Sequence, residues 1–134
     1  MQITEDVLDL SKNREFNIWE YHVSHGSLLL RSPKRENFDT NVDIIFAGVE
    51  YISGPTILGF LEFSKPTEAE RSLVGKAINT RMNGCTLWAW NTEWNTKSAR
   101  LLIAGGWFKI CENAYPIVSS PFEFIRRVPN EDEG

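Results

Sequence analysis

Histidine, cysteine and methionine are scarce, with two of each in a chain of 134 residues. A zinc site needs three or four converging ligands, and His22 and His25 form only a lone His-x-x-His, far in sequence from Cys85 and Cys111. On an extended strand a three-residue offset sends two side chains to opposite faces. These imidazoles are therefore read as hydrogen-bonded or solvated, and no metal or other cofactor is expected. Two thiols are too few for a disulfide framework and fit a reducing compartment. Cys111 lies in an apolar stretch and Cys85 just past a helix stop, where the negative end of the helix disfavours a thiolate, so both are read as structural.

Basic charge is in deficit, with 14 Lys and Arg against 18 Asp and Glu and a net charge of −4. Nucleic-acid binding through phosphate neutralisation asks for the opposite balance, and no nucleic-acid partner is expected. The compact basic group Arg31, Lys34 and Arg35 around Ser32-Pro33 reads as a soluble turn, and Glu36, Asp39 and Asp43 as a solvated loop without calcium-loop spacing. Glu131, Asp132 and Glu133 supply three of the four net negative charges, so the body is nearly neutral. Residues 130–134 are read as an acidic tail.

Long apolar runs are missing too. The longest stretches without Asp, Glu, Lys or Arg are Tyr51–Leu61 and Met82–Thr92, 11 residues each, about half a membrane span. The first 16 residues hold four acids and no apolar run of signal-peptide length. No membrane association is expected, and the cytoplasm is the expected location. No Gly-x-Ser-x-Gly elbow, phosphate-binding Gly-x-x-x-x-Gly-Lys or Gly-x-Gly-x-x-Gly occurs, so no residue is assigned a catalytic or cofactor-binding role.

What remains is an ordinary globular composition, 42% apolar and 24% charged, long enough to bury about two-thirds of its surface. Residues 1–14 read as a peripheral segment. Period-two alternation over Phe16–Val23, a turn at Ser24–Ser27 and a return strand at Leu28–Arg31 make a hairpin. Val42–Ile52 is apolar on both faces, hence a central strand covered on both sides, with a bend or bulge at Gly48. In Ile57–Phe63 strict alternation puts Ile57, Gly59, Leu61 and Phe63 on one inward face.

The main helix is expected over about 67–82. Thr67 and Glu70 form a capping box, Val74, Ile78 and Met82 make the docking stripe, and Asn83-Gly84 supplies the stop. Gly75 weakens the helix by about 1 kcal/mol relative to Ala. Further strands follow at Thr86–Trp90 and Arg100–Cys111, the latter interrupted at Gly105-Gly106, with a polar loop Asn91–Ser98 between them. Ala114–Val118 and Phe122–Val128 are broken by prolines. The expected fold is a single α+β domain over 1–134, a mostly antiparallel sheet of about six or seven strands with the helix packed on it.

Five tryptophans are the least ordinary feature, three of them (Trp88, Trp90, Trp94) within seven positions. Trp88 and Trp90 share one face of a strand, and Trp94 sits in the loop beyond. Two readings stand: a core strand under the helix, or a surface site rimmed by Asn91, Thr92, Glu93, Asn95 and Thr96. On the second, Trp88, Trp90, Glu93 and Trp94 are the candidate binding residues of a non-enzymatic regulatory module engaging a protein partner, by class analogy an inhibitor or immunity-like protein. The alternative is a small enzyme or carbohydrate binder with a Trp-lined cleft and Glu20, Glu62 or Glu93 as its carboxylates. A homodimer through edge strands or the aromatic patch is compatible with either.

Overall fold

The computed structural model describes residues 11–79 and 84–116. Eight strands form one sheet: β1 (Glu15–His22), β2 (Ser27–Ser32), β3 (Asn41–Ala47), β4 (Tyr51–Ser53), β5 (Ile57–Ser64), β6 (Thr86–Trp94), β7 (Lys97–Gly105) and β8 (Trp107–Asn113), with one helix, α1 (Glu68–Ile78), between β5 and β6. All pairings are antiparallel, in the order β4-β7-β6-β5-β1-β2-β3-β8. Four of the eight are halves of two long strands. β3 and β4 are separated by Gly48–Glu50, and β7 runs into β8 through Gly106.

Those halves join the two ends of the sheet. β3 pairs with β8 in the register Ala47↔Trp107, and β4 pairs with β7 in the register Tyr51↔Ala104. Between them Gly106 N donates to Ala47 O at 2.9 Å and Glu50 N to Ala104 O at 2.8 Å. The register slips by one residue across this point, as at a β-bulge, and Gly48 takes the left-handed φ of 66° that the bend requires. The sheet is thus a closed ring of six long strands. The expected count of six or seven counted these bent strands whole.

Closure gives the strands an inside and an outside. Phe16, Leu28, Leu30, Val42, Ile44, Phe46, Leu58, Trp88, Trp90, Leu101, Ile103 and Phe108 fill the interior. Its centre is aromatic: Phe46 lies 5.7 Å from Trp88 and 5.4 Å from Phe108, and Trp88 stands edge-on to Phe108 at 5.0 Å. Such pairs add about 0.5–1.5 kcal/mol each beyond the area they bury.

On the outside, α1 lays Val74 and Ile78 on Leu87, Ala89, Leu102 and Ala104, so β6 and β7 are covered on both faces. The capping box is present: Glu70 N donates to Thr67 Oγ1 at 3.1 Å and Thr67 N to Glu70 Oε1 at 3.0 Å. α1 ends at Ile78, earlier than expected, because Asn79 already takes a left-handed φ of 53°. Met82 and the Asn83 stop lie outside the described residues, as do the strand at 122–128, residues 1–10 of the peripheral segment and the acidic tail.

Three expectations are corrected. The stretch Asn91–Ser98 is no loop: β6 and β7 meet in a two-residue turn at Asn95 and Thr96, both with positive φ (52° and 63°), the geometry that matches strand twist in tight hairpins. Asn91 and Glu93 point outward and Thr92 inward. In β5, Gly59 adopts φ 71° in a bulge against β1 and resets the alternation, so Leu58, Leu61 and Phe63 face the core while Ile57 is 46% exposed.

The third concerns charge. Arg31 and Asp43, read as parts of a soluble turn and a solvated loop, have fully buried side chains and form a two-point ion pair, Nε to Oδ1 at 2.7 Å and Nη2 to Oδ2 at 3.0 Å. They lie opposite each other on β2 and β3, on the outer face beside Leu29 and Ile45. Asn113 also donates to Asp43 at 2.7 Å. A buried pair of charges is stable only with such satisfaction. Lys34 reaches Ala114 O, and Arg35 lies 3.6 Å from Glu15. The basic group is thereby dispersed onto separate partners.

Candidate functional site

Alternation along β6 decides what each tryptophan can do. Trp88, Trp90 and Thr92 point into the ring, and Leu87, Ala89, Asn91 and Glu93 point outward. Trp88 and Trp90 are only 3% and 5% exposed, so a partner at the surface does not reach them. They share a face as expected, but it is the face turned away from α1. Trp88 Nε1 is a buried polar atom without a hydrogen-bond partner, and its ring is held instead by the edge-on contact with Phe108. Trp94 is 45% exposed at the last position of β6, where the strand leaves the ring.

Gly59 fixes the surroundings of Trp94. A Cβ at Gly59 would stand 2.1 Å from Glu93 O and 2.7 Å from Trp94 Cβ, so β5 and β6 touch there backbone to backbone. The bulge that permits this turns out Ile57 on one side of Gly59 and Phe60 on the other, the latter 45% exposed. Ile57, Phe60 and Trp94 thus all lie near one end of the β5–β6 pair, Phe60 on its outer face beside Glu93, and Trp94, in phase with Trp90 and Thr92, on the opposite one. Neither Ile57 nor Phe60 is singled out by period two alone; a glycine between apolar residues of opposite phase is the signal that points to them.

On the outer face, beside Phe60, an open groove of about 390 Å³ crosses β5, β6 and β7, lined by Phe60, Leu61, Glu62, Asn91, Thr92, Glu93 and Ser98. Two of the three carboxylates considered from sequence, Glu62 and Glu93, meet here. Glu20 does not; it lies on β1 with its carboxylate bonded to His22. Phe60 faces Glu93 across the β5–β6 ladder and Ser98 faces Glu93 across β6–β7.

A polar chain leads from the groove to the helix. Asn91 Nδ2 donates to Glu62 Oε1 at 3.1 Å, and Arg100 Nη1 donates to Asn91 Oδ1 at 2.9 Å. The rest of the Arg100 guanidinium grips Glu70 with Nε at 2.9 Å and Nη2 at 2.5 Å. Hydrogen bonds from Arg100 lower the Glu70 carboxyl to about 2, against the opposing pull of burial and with further help from the Thr67 amide. Arg100 therefore balances Glu70 and leaves Glu62 and Glu93 as the charges of the groove.

Elsewhere, burial and then the nearby Asp43 push the Cys111 thiol up, away from a reactive thiolate. Among the described residues no group of three His, Cys, Asp or Glu side chains is placed to hold a metal ion, and no helix is long and apolar enough to cross a membrane. Comparison of the chain with protein-family models, with curated proteins and with solved structures finds no match.

Proposed function

We propose that the protein is a small non-enzymatic binding module that engages a protein partner at the exposed end of the β5–β6 pair. The observation that carries this reading is the exposure of three large apolar side chains, Ile57, Phe60 and Trp94, on the two faces of one end of the β5–β6 pair, where Gly59 brings the backbones together. Aromatic side chains with a rim of polar groups supply most of the binding energy at protein interfaces. Here Glu62, Asn91, Glu93 and Ser98 make the rim. The binding residues of the proposal are Glu93 and Trp94, joined by Ile57 and Phe60; Trp88 and Trp90 support them from inside. The module acts in the cytoplasm and is of the inhibitor or immunity type.

The test is affinity capture from lysate of the native host with wild-type protein and with the Phe60→Ala/Trp94→Ala variant, whose changes lie outside the buried core. A stoichiometric protein retained by the wild type and lost by the variant supports the module. Equal retention by both removes this surface from the reading. Sedimentation decides whether a second copy takes the same patch.

A second reading rests on the meeting of Glu62 and Glu93 beside the Phe60 ring, an arrangement that suits a carbohydrate stacked on an aromatic face. Turnover of any glycoside in a broad panel, abolished by Glu93→Ala, would replace the first reading with this one.

A further inference from the structure

We infer that the groove on the outer face of β5 and β6 receives a lysine or arginine side chain from an extended basic segment of the partner, an inference that rests on the reading above and specifies its chemistry. Charge decides the occupant. Glu62 and Glu93 both line the groove, and no cation of the described residues lies on its wall. Arg100, the nearest cation on the same outer face, is engaged by both oxygens of Glu70. Lys97 is next to Ser98 in sequence and so projects from the opposite face of β7, on the side of its ladder partner Trp94. Glu15, across the ladder from Phe60, lies against Arg35.

Shape agrees with charge. The exposed Phe60 ring lines the groove, and a long basic side chain buries its aliphatic stem on such a surface while its head reaches outward to carboxylates. Glu62 is already held in place, because Asn91 binds its Oε1 and is itself held by Arg100. Its second oxygen needs no reorganisation to accept from a guanidinium or ammonium, and pre-positioned acceptors bind at lower entropic cost. Ile57 and Phe60, both exposed on β5, offer contact area to the residues flanking that side chain, so a peptide segment fits where a free polyamine would leave them uncovered.

The probe is a short capped peptide alternating arginine with glycine, titrated into isotopically labelled full-length protein and followed by amide chemical shifts. Its counterpart carries citrulline, which keeps the shape of arginine and removes the charge. The arginine peptide is expected to shift the amides of Phe60–Glu62, Asn91–Glu93 and Ser98, and the citrulline peptide to leave them unmoved.

Glu62→Gln/Glu93→Gln is expected to weaken binding about tenfold, the equivalent of about 1.4 kcal/mol. The substituted amide at position 62 keeps an acceptor for Asn91, and the unchanged remainder of the spectrum verifies the fold. Glu36→Gln/Asp39→Asn alters charge equally on the β2–β3 loop and is expected to change affinity less than about twofold, the small effect of a remote exposed charge. Equal losses in the two double variants, shifts centred elsewhere, or equal binding of the citrulline peptide would each overturn the inference. If the arginine peptide fails while partner capture still depends on Phe60 and Trp94, the basic occupant is refuted and the module stands. If the peptide binds as expected while capture ignores those two residues, the reverse holds.

Discussion

Substituting three glycines by alanine separates two physical effects that glycine usually confounds. At Gly59, φ is 71° and an added Cβ would lie 2.1 Å from Glu93 O and 2.8 Å from Glu93 C. The left-handed conformation costs about 1–2 kcal/mol for a residue with a side chain, and the overlap, which only a shift of the β6 backbone relieves, adds about 1–3 kcal/mol more. The sum of about 2–5 kcal/mol is a large part of the 5–15 kcal/mol typical of a domain. At Gly84, φ is 83° but none of the described residues lies within 4 Å of the added atom, so only the conformational part, about 1–2 kcal/mol, applies.

At Gly75, in the middle of α1, neither penalty exists, and alanine stabilises by about 0.5–1 kcal/mol through backbone entropy. Urea unfolding with a common slope for all three variants measures the differences. The expected order of stability is Gly75→Ala, wild type, Gly84→Ala, Gly59→Ala. A Gly59→Ala variant no less stable than Gly84→Ala would refute the backbone contact between β5 and β6 and, with it, the origin of the exposed patch.

Two further expectations concern charge. Asp43→Asn leaves the Arg31 guanidinium buried without its counter-charge and is expected to lose about 3–5 kcal/mol, whereas the joint Arg31→Met/Asp43→Leu replacement loses far less; equal losses on urea unfolding would contradict the enclosed ion pair. The Glu70 carboxyl is held at about 2 in the folded protein, below its ordinary 4.5, so its stabilisation is complete above pH 4.5 and disappears as pH falls from there towards 2. With both side chains partly in water this amounts to about 1 kcal/mol. Glu70→Gln should therefore lower stability at neutral pH and flatten its decline between pH 4.5 and 2, and an unchanged decline would argue against the Arg100 grip.

How much could be read beforehand follows from how local each signal is. Thr67 and Glu70 announce the helix start because both halves of the capping box lie within a single turn. The bends at Gly48 and Gly105-Gly106 are legible for the same reason, as glycines interrupting otherwise continuous apolar strands. That the two bends face each other is a pairing between segments far apart in the chain, and nothing local records it. Ring closure was out of reach on that account.

Arg31 and Asp43 mislead because a charged residue reads as solvated until its partner on the neighbouring strand is known. Trp88 and Trp90 stand on one face by simple alternation, but alternation does not say whether that face is the interior or the helix-covered exterior. In β5 the period-two rule failed at one residue, Gly59, and that failure exposes Ile57 and Phe60. The site was half visible for this reason, Glu93 and Trp94 from composition, the rest only from the bulge.

The meeting of the two bent strands also orders events in time. β1, β2, β5 and β6 find most of their neighbours through hairpins or moderate loops, but the ring shuts only when residues 41–53 have both β7 and β8 to pair with. A chain emerging from the ribosome must carry Phe16, Leu28, Phe46 and Trp88 on an open sheet until residue 113 is available. Non-local pairing of this kind slows folding and prolongs exposure of sticky surface. The same two glycine bends that complete the ring therefore set how long a nascent chain leaves that surface open.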